Sequence, residues 1–342
     1  MDKRSTVYVS NAHSLDIRVF HLEEEGGRLS GVQTLPVPEV TAPSPISMPL
    51  AVSADRRFLH AAVRSEPFTL KTFGIAPDGR LSYLGSTPLP QGMAYLSFDR
   101  SGRFMLFASY SGHTVSVSPV APSGRVGPVQ QTLALSASAH AVMTDPANRY
   151  VLYTAIGSDR FVCRRFDAAT GKIGDEDLDV VIRPKAAPRH FVFHPHNGCI
   201  YLLNERDATI DIIGFEPGSG ALQLRGSVSS LPPGFSGQPM AADIHVTPDG
   251  RYLYSSERGS NTIAAYRCGS DSGTLALIGH FPTEAEPRSL AMDPQGRFLL
   301  AAGQASHALT VYRIVSASGG LQALGSWPMG QNPSWIEILD IP

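Results

Sequence analysis

The chain has 342 residues, 42% of them hydrophobic, with 32 glycines, 27 prolines and a formal net charge of −2. That balance gives no general basic field for nucleic acid, and three widely spaced cysteines form neither a disulfide framework nor a C-x-x-C metal or redox site. No apolar run of about 18 residues occurs, and MDKRSTVYVSNAHSL lacks a signal-type apolar core, so secretion and membrane insertion are disfavoured and a reducing cytoplasm is the expected location.

Residues 6–10, 15–22 and 29–37 read as three strands, the last following the turn Gly26-Gly27. A hairpin pattern then recurs at Arg57 (DRRFLHAAVR), Arg103 (SGRFMLFASY), Arg149 (ANRYVLYTAI), Gly198 (HNGCIYLLNE), Arg251 (DGRYLYSSER) and Arg297 (QGRFLLAAGQ). A solitary second strand at Arg4 lacks its first strand, and residues 334–338 supply a first strand with no hairpin after it. Successive marks from Arg4 to Arg297 lie 53, 46, 46, 49, 53 and 46 residues apart by subtraction. Several short strands in each period of roughly 40 to 50 residues predict an all-β fold, a seven-bladed β-propeller with four antiparallel strands per blade. Residues 334–338 should pair with residues 6–10 and close the array, making residues 1–342 one domain; the other blades fall at 46–90, 92–135, 138–183, 187–229, 240–284 and 286–328. Gly or Pro interrupts nearly every helix-length window, so helix should be minimal. The Pro-, Ser- and Gly-rich connections 36–47 and 229–240 are either part of a site or solvated loops.

The start of each blade's first strand and the end of its second belong at one face. Nine residues before the marks lie Met48, Ala94, His140, Arg189, Ala242, Arg288 and Ser334; seven after them lie Asn11, Arg64, Tyr110, Ile156, Glu205, Arg258 and Gln304. Ion pairs around a solvent-filled funnel would account for any one charge here. Four arginines, a glutamate and a histidine at equivalent positions instead suit an anionic substrate with acid–base chemistry. Asp243, next to Ala242, is a supporting carboxylate or substrate contact, and His245 is expected to be packed or hydrogen-bonded between blades. His190, His194 and His196 lack a helical H-E-x-x-H context for zinc. No glycine-rich phosphate loop and no G-x-S-x-G elbow is present.

Across nearly the whole chain the motifs VYVSN, APRHFVFHP, LLNE, AADIHVTPDGRYLY, PTEAEPRSLAMD, AAGQASHALTVY and QNPSW resemble the seven-bladed propeller lactonases, which include the bacterial 6-phosphogluconolactonases and the fungal carboxy-muconate lactonizing enzyme. The resemblance implies a catalytic set of His140, Arg189, Glu205 and Arg258, the four positions that the repeat count selects independently. It further implies hydrolysis of 6-phospho-D-glucono-1,5-lactone in the cytosolic pentose phosphate pathway. Arg64, Arg288 and Asp243 are the expected substrate-binding residues, and no cofactor or metal is expected. The expected partner is a small anionic sugar lactone, with no nucleic acid or membrane, and the chain should be a monomer or weak homodimer. Glu205 is the candidate base, with His140 as its rival. A lactonase or carboxy-muconate cycloisomerase for another anionic lactone is the alternative; a non-catalytic protein-binding propeller would need an exposed aromatic patch at a mouth or rim, and the sequence places charge there instead.

Overall fold

The computed structural model describes residues 4–40 and 45–340. Positions 41–44 of the 36–47 connection and the extreme ends of the expected domain lie outside the described residues. Strands β1 (Arg4–Asn11), β2 (Asp16–Glu23) and β3 (Leu29–Pro36) begin the first sheet. The second sheet is β4 (Leu50–Val52), β5 (Phe58–Val63), β6 (Thr69–Ile75) and β7 (Leu81–Pro88). The third is β8 (Tyr95–Phe98), β9 (Phe104–Ser109), β10 (Thr114–Pro119) and β11 (Gln131–Ala134). The fourth contains β12 (Ala139–Thr144), β13 (Tyr150–Ala155), β14 (Arg160–Asp167), β15 (Lys172–Ile173) and β16 (Leu178–Val181). Next come β17 (Pro188–Phe193), β18 (Cys199–Asn204), β19 (Thr209–Phe215) and β20 (Leu222–Ser229). The sixth sheet is β21 (Ala241–Val246), β22 (Tyr252–Glu257), β23 (Thr262–Cys268) and β24 (Leu275–Pro282). The seventh is β25 (Pro287–Met292), β26 (Phe298–Gly303), β27 (Ala308–Ile314) and β28 (Leu321–Pro328). Finally β29 (Pro333–Asp340) joins the first sheet, antiparallel to β1, with Val7 opposite Ile338 and Val9 opposite Ile336.

One sheet per sequence repeat gives a seven-bladed β-propeller, and the only helical element among the described residues is a 3₁₀ turn, Ile156–Ser158. The fourth sheet departs from four strands because two short strands share the outer edge of β14: β15 pairs with Phe166 and Asp167, and β16 with residues 160–163. Between them Asp177 is drawn toward Arg164 at 2.5 Å and Arg160 at 3.2 Å, which breaks the edge strand in two.

By internal contacts the chain divides into two compact units. One comprises Met1–Pro36, His190–Gly214 and Leu224–Pro342, and the other Val37–Arg189 and Phe215–Gln223. In the first unit, apolar side chains of β21–β24 pack on those of β25–β28, among them Tyr254, Ile263, Leu290 and Leu299. In the second, Leu106, Val115, Val142, Val151 and Phe166 join the sheets of β8–β11 and β12–β16. Second strands such as β9 and β13 are buried at every residue, as expected of strands covered on both faces, whereas β7 after its buried first residue alternates exposed and half-buried residues.

At the hairpin turns the blades repeat one device. Asp99, Asp145 and Asp293 accept the N–H five residues later, from Phe104 (2.8 Å), Tyr150 (2.7 Å) and Phe298 (2.6 Å). The hydroxyls of Ser53 and Thr247 do the same for Phe58 and Tyr252, each at 3.0 Å. The aromatic ring so placed then packs against an outer-turn glycine at positive φ: Phe58 against Gly124 (79°) and Tyr252 against Gly319 (77°). A Cβ at either glycine would collide with the ring, so glycine is required there for packing as well as for backbone conformation.

Candidate active site

At the other end of the hairpins, the register positions fall where the count placed them. His140, Arg189, Ala242, Arg288 and Ser334 are each the second residue of β12, β17, β21, β25 and β29. Arg64, Tyr110, Ile156, Glu205, Arg258 and Gln304 each follow the last residue of the second strand in their blade. The ladders slip here. Pairing skips a residue between Ala139 and Val142, Ala241 and Ile244, Pro287 and Ser289, and opposite Ser10/Asn11 between Pro333 and Trp335. Each slip is a β-bulge, which re-aims the side chains at the strand entry and frees backbone N–H groups. Hydroxyls accept two of these: Thr154 Oγ1 from Ala141 (2.9 Å) and Ser256 Oγ from Asp243 (3.1 Å).

In the first unit Arg258 Nη2 lies 3.2 Å from Glu205 Oε2, with the arginine side chain 8% and the glutamate 26% exposed. Its Nε donates to Met240 O at 3.0 Å, while Ala241 N donates to Glu205 O at 3.0 Å. Buried Glu257 accepts the N–H groups of Met240 and Ser260 and so fixes the loop on both sides of this pair. Arg288 donates to Gln304 Oε1 at 3.3 Å.

One residue deeper along the first strands lie His190, Asp243, Ser289 and Trp335. His190 Nδ1 is 2.8 Å from Asp243 Oδ1, and His245 Nε2 is 3.4 Å from Oδ2. Asp243 also accepts the N–H of Leu290 (2.9 Å) and its own neighbour Ile244 (3.0 Å), so both oxygens are engaged. These hydrogen bonds run to two imidazoles and to the backbone. Burial alone would raise its pKa, yet His245 and His190 hold it well below the usual carboxylate range. Burial opposes charge on His245, but Asp243, and more weakly Glu337, raise that imidazole above its ordinary value. Burial pushes Glu337 to about 7, against the 2.8 Å hydrogen bond from Trp335 Nε1 and the attraction of His245. Trp335 meets His190 edge-on, with 6.0 Å between ring centroids.

In the second unit Arg64 donates to Ser47 Oγ at 2.9 Å, and burial lowers its pKa while nearby Tyr110 raises it. Tyr110, 39% exposed, stands edge-on to His140 with 6.2 Å between centroids, which brings Arg64, Tyr110 and His140 together. Arg189 is 2% exposed, and its carbonyl accepts the Thr154 hydroxyl at 3.0 Å. Among the described residues no group of three or more His, Cys, Asp or Glu side chains could hold a metal ion. The three cysteines are free and buried, and His194 bonds the Gly250 carbonyl at a turn, at 2.9 Å.

The sequence pattern accounts for a packed or hydrogen-bonded His245 but does not by itself join His190, Asp243, His245 and Glu337 into one cluster. The signal was available: repeating the register count one residue further in gives His190, Asp243, Ser289 and Trp335 as equivalents. The bulges carried no such signal, because each depends on how two strands pair.

The profile of the family described as "Lactonase, 7-bladed beta-propeller" matches residues 5–338. A protein named 6-phosphogluconolactonase from Pectobacterium carotovorum subsp. carotovorum (strain PC1) is 36% identical over 339 residues, 98% of this chain and 99% of its own length. Its namesake from Yersinia pestis (strain Pestoides F) is 36% identical over 293 residues, 85% of this chain and 84% of that one. The solved structure of the Pseudomonas aeruginosa periplasmic gluconolactonase is similar in fold, with a TM-score of 0.88 at 24% identity over 99% of this chain and all of that one.

Proposed function

Because the chain belongs to the seven-bladed β-propeller lactonase family, we propose that this lactone-hydrolysing enzyme acts as a 6-phosphogluconolactonase, opening 6-phospho-D-glucono-1,5-lactone to 6-phosphogluconate. On this reading it serves the pentose phosphate pathway in the cytoplasm; no helix among the described residues is long and apolar enough to cross a membrane. The observation that carries the site assignment is the Glu205–Arg258 pair, a carboxylate kept beside a guanidinium at the end of two neighbouring second strands. The guanidinium at 3.2 Å holds the Glu205 carboxylate in place at the strand end.

In the proposed reaction Glu205 takes a proton from water as the water oxygen attacks the lactone carbonyl, and Arg189 stabilises the oxyanion that develops. Arg258 has donors to spare beyond Glu205, Met240 and Ala241, and with Arg288 or Arg64 it holds the distal phosphate, whose oxygens match the planar guanidinium fork. His140, packed on Tyr110, is the remaining candidate for the base. The catalytic set is thus His140, Arg189, Glu205 and Arg258.

Hydrolysis of freshly generated phosphorylated and unphosphorylated gluconolactones, corrected for spontaneous opening, tests the reading. A higher kcat/KM for the phosphorylated lactone is expected. Equal preference would move the assignment to another lactone, reversed preference to an uncharged one, and no rate above the spontaneous one would remove it.

A further inference from the structure

Resting on the lactonase reading, we propose that Thr154 is a positioning residue of the active site, its hydroxyl setting the backbone from which both His140 and Arg189 project. On β12 two residues, His140 and Ala141, stand against one on β13, Thr154, because pairing runs from Ala139–Ala155 directly to Val142–Tyr153. The bulge takes the Ala141 N–H out of the ladder, and Thr154 Oγ1 accepts it at 2.9 Å. The hydroxyl then donates its own hydrogen to the Arg189 carbonyl on β17, at 3.0 Å. One oxygen of a fully buried residue is thus within hydrogen-bond distance of both backbones, with its single hydrogen and a lone pair both committed.

The two bonds act at equivalent places. A peptide unit is planar, so the bond to Ala141 N holds the plane that leaves His140, and the bond to Arg189 O holds the plane that leaves Arg189. Each constrains ψ at a residue of the proposed catalytic set, and with it the direction in which that side chain leaves its strand. The approach to Arg189 is fastened from the same blade: Asp159 accepts the N–H groups of Lys185 at 2.7 Å and Ala187 at 2.8 Å. Thr154 supplies the next fastening along the chain.

Folding alone does not call for this hydroxyl. Val9, Ala62, Ala108, Leu203 and Ala302 hold the equivalent place in five other blades, and the slip between Pro287 and Ser289 forms beside Ala302 without one. Ser256 is the other hydroxyl at this register and accepts the Asp243 N–H at 3.1 Å. Among the described residues, only Thr154 of this series also bonds the first strand of the following blade. Oxyanion stabilisation needs its donor where charge develops, and a misplacement of about 1 Å from a change outside the chemistry costs about 10²-fold. A tether at the root of both side chains answers that requirement.

The test uses the full chain with Thr154→Val, which keeps the shape and removes the hydroxyl, and Thr154→Ser, which keeps the hydroxyl. The readouts are kcat and KM on the phosphorylated lactone, the melting transition, and hydrogen exchange at the Ala141 amide. Thr154→Ala removes the same hydroxyl without setting a methyl against the two polar groups, and replaces the valine variant should that fail to fold. Loss of about 10- to 100-fold in kcat with little change in KM is expected for Thr154→Val, with faster exchange at Ala141; Thr154→Ser should restore both. Thr247→Val is the control: it removes a buried hydroxyl that accepts the Tyr252 N–H at 3.0 Å at the turn end, and should lower stability while leaving kcat unchanged. A folded protein that lacks the Thr154 hydroxyl and keeps wild-type kcat overturns the proposal, as does an equal loss of kcat in Thr154→Ser or in Thr247→Val, or an Ala141 amide indifferent to the hydroxyl. A wild type with no lactonase activity overturns the functional reading itself, and the wild-type control makes that failure distinct.

Discussion

The two ends of the hairpins use the same residue types for opposite purposes. At the turn end, Asp99, Asp145 and Asp293 each bond the N–H five residues on, and Arg57, Arg103, Arg251 and Arg297 each lie over the aromatic ring of the next residue, 5.0 to 5.8 Å from its centroid. At the strand-entry end four blades share a bulge, but the side chains it aims differ: β21 carries Asp243 between His190 and His245, β25 carries Arg288 and Ser289, β29 carries Ser334 and Trp335, and β4 is only three residues long. Repetition marks what every blade needs to fold, namely a tied turn and a ring to pack on the next sheet. Departure from repetition marks what only one place in the molecule needs.

If the comparison is right, substitutions at the unrepeated end act on rate and those at the repeated end on stability. The largest effect should come from Glu205→Gln, which keeps the shape and removes the proton acceptor; kcat should fall by about 10²- to 10⁴-fold with an unchanged melting transition. Near-normal turnover would transfer the role to His140. Arg258→Ala should follow, lowering kcat/KM for the phosphorylated lactone by roughly 10- to 150-fold, the equivalent of about 1.5 to 3 kcal/mol for a lost charged hydrogen-bond partner. Glucono-1,5-lactone should respond less, because it loses only the hold of Arg258 on Glu205. Equal losses on both substrates would place Arg258 at the reacting carbonyl.

Asp145→Ala reverses the readout. The carboxylate ties the N–H groups of Ala147, Arg149 and Tyr150 and is 1% exposed. Leaving those donors without it should cost about 2 kcal/mol, seen as a lower denaturant midpoint, while kcat stays at the wild-type value. A clear drop in kcat at unchanged stability would erase the distinction between the two ends.

Legibility in the sequence follows the same division. The hairpin turns, the missing strand at one terminus and its copy at the other are local patterns, so the fold and the β29–β1 closure could be read directly. Arg258 and Glu205 could be found because equivalence by counting is also local. The split edge of β14 could not, since it depends on Asp177 reaching back to Arg160 and Arg164. Nor could the His190–Asp243–His245 cluster, in which His190 and Asp243 bond across 53 residues of chain and Asp243 is aimed by a bulge. Asp243 illustrates the limit: its position was visible, while its partners were set by tertiary packing.

Glu337 tests whether the unrepeated level carries a stability penalty. Its carboxyl is raised to about 7 in the folded chain, chiefly by burial. A raised folded-state pKa means that the group's contribution is fully present below its unfolded value of about 4.5 and is lost as pH rises through about 7. Glu337→Gln should therefore gain on the wild type in melting temperature between pH 5 and pH 8, by about a degree or two. A difference that shrinks with rising pH would contradict the raised value.

The smallest effect is expected at Arg251, and it isolates the comparison within a single strand. Arg251 and Arg258 flank β22, one at each end. Arg251 is about half exposed, pairs with Asp249 at 2.6 Å and lies 5.2 Å above the Tyr252 ring. An exposed ion pair and an exposed cation–π contact each contribute little, because solvent screens the first and hydrates the cation of the second. Arg251→Ala should accordingly lower the melting temperature by only a degree or two and leave kcat/KM on both lactones unchanged. High salt should shrink the ion-pair part of that shift, because exposed charges are screened, and spare the ring-packing part. If Arg251→Ala instead impairs phosphorylated-lactone turnover as Arg258→Ala does, anion recognition is spread along the strand, and the two ends of the hairpin no longer divide folding from function.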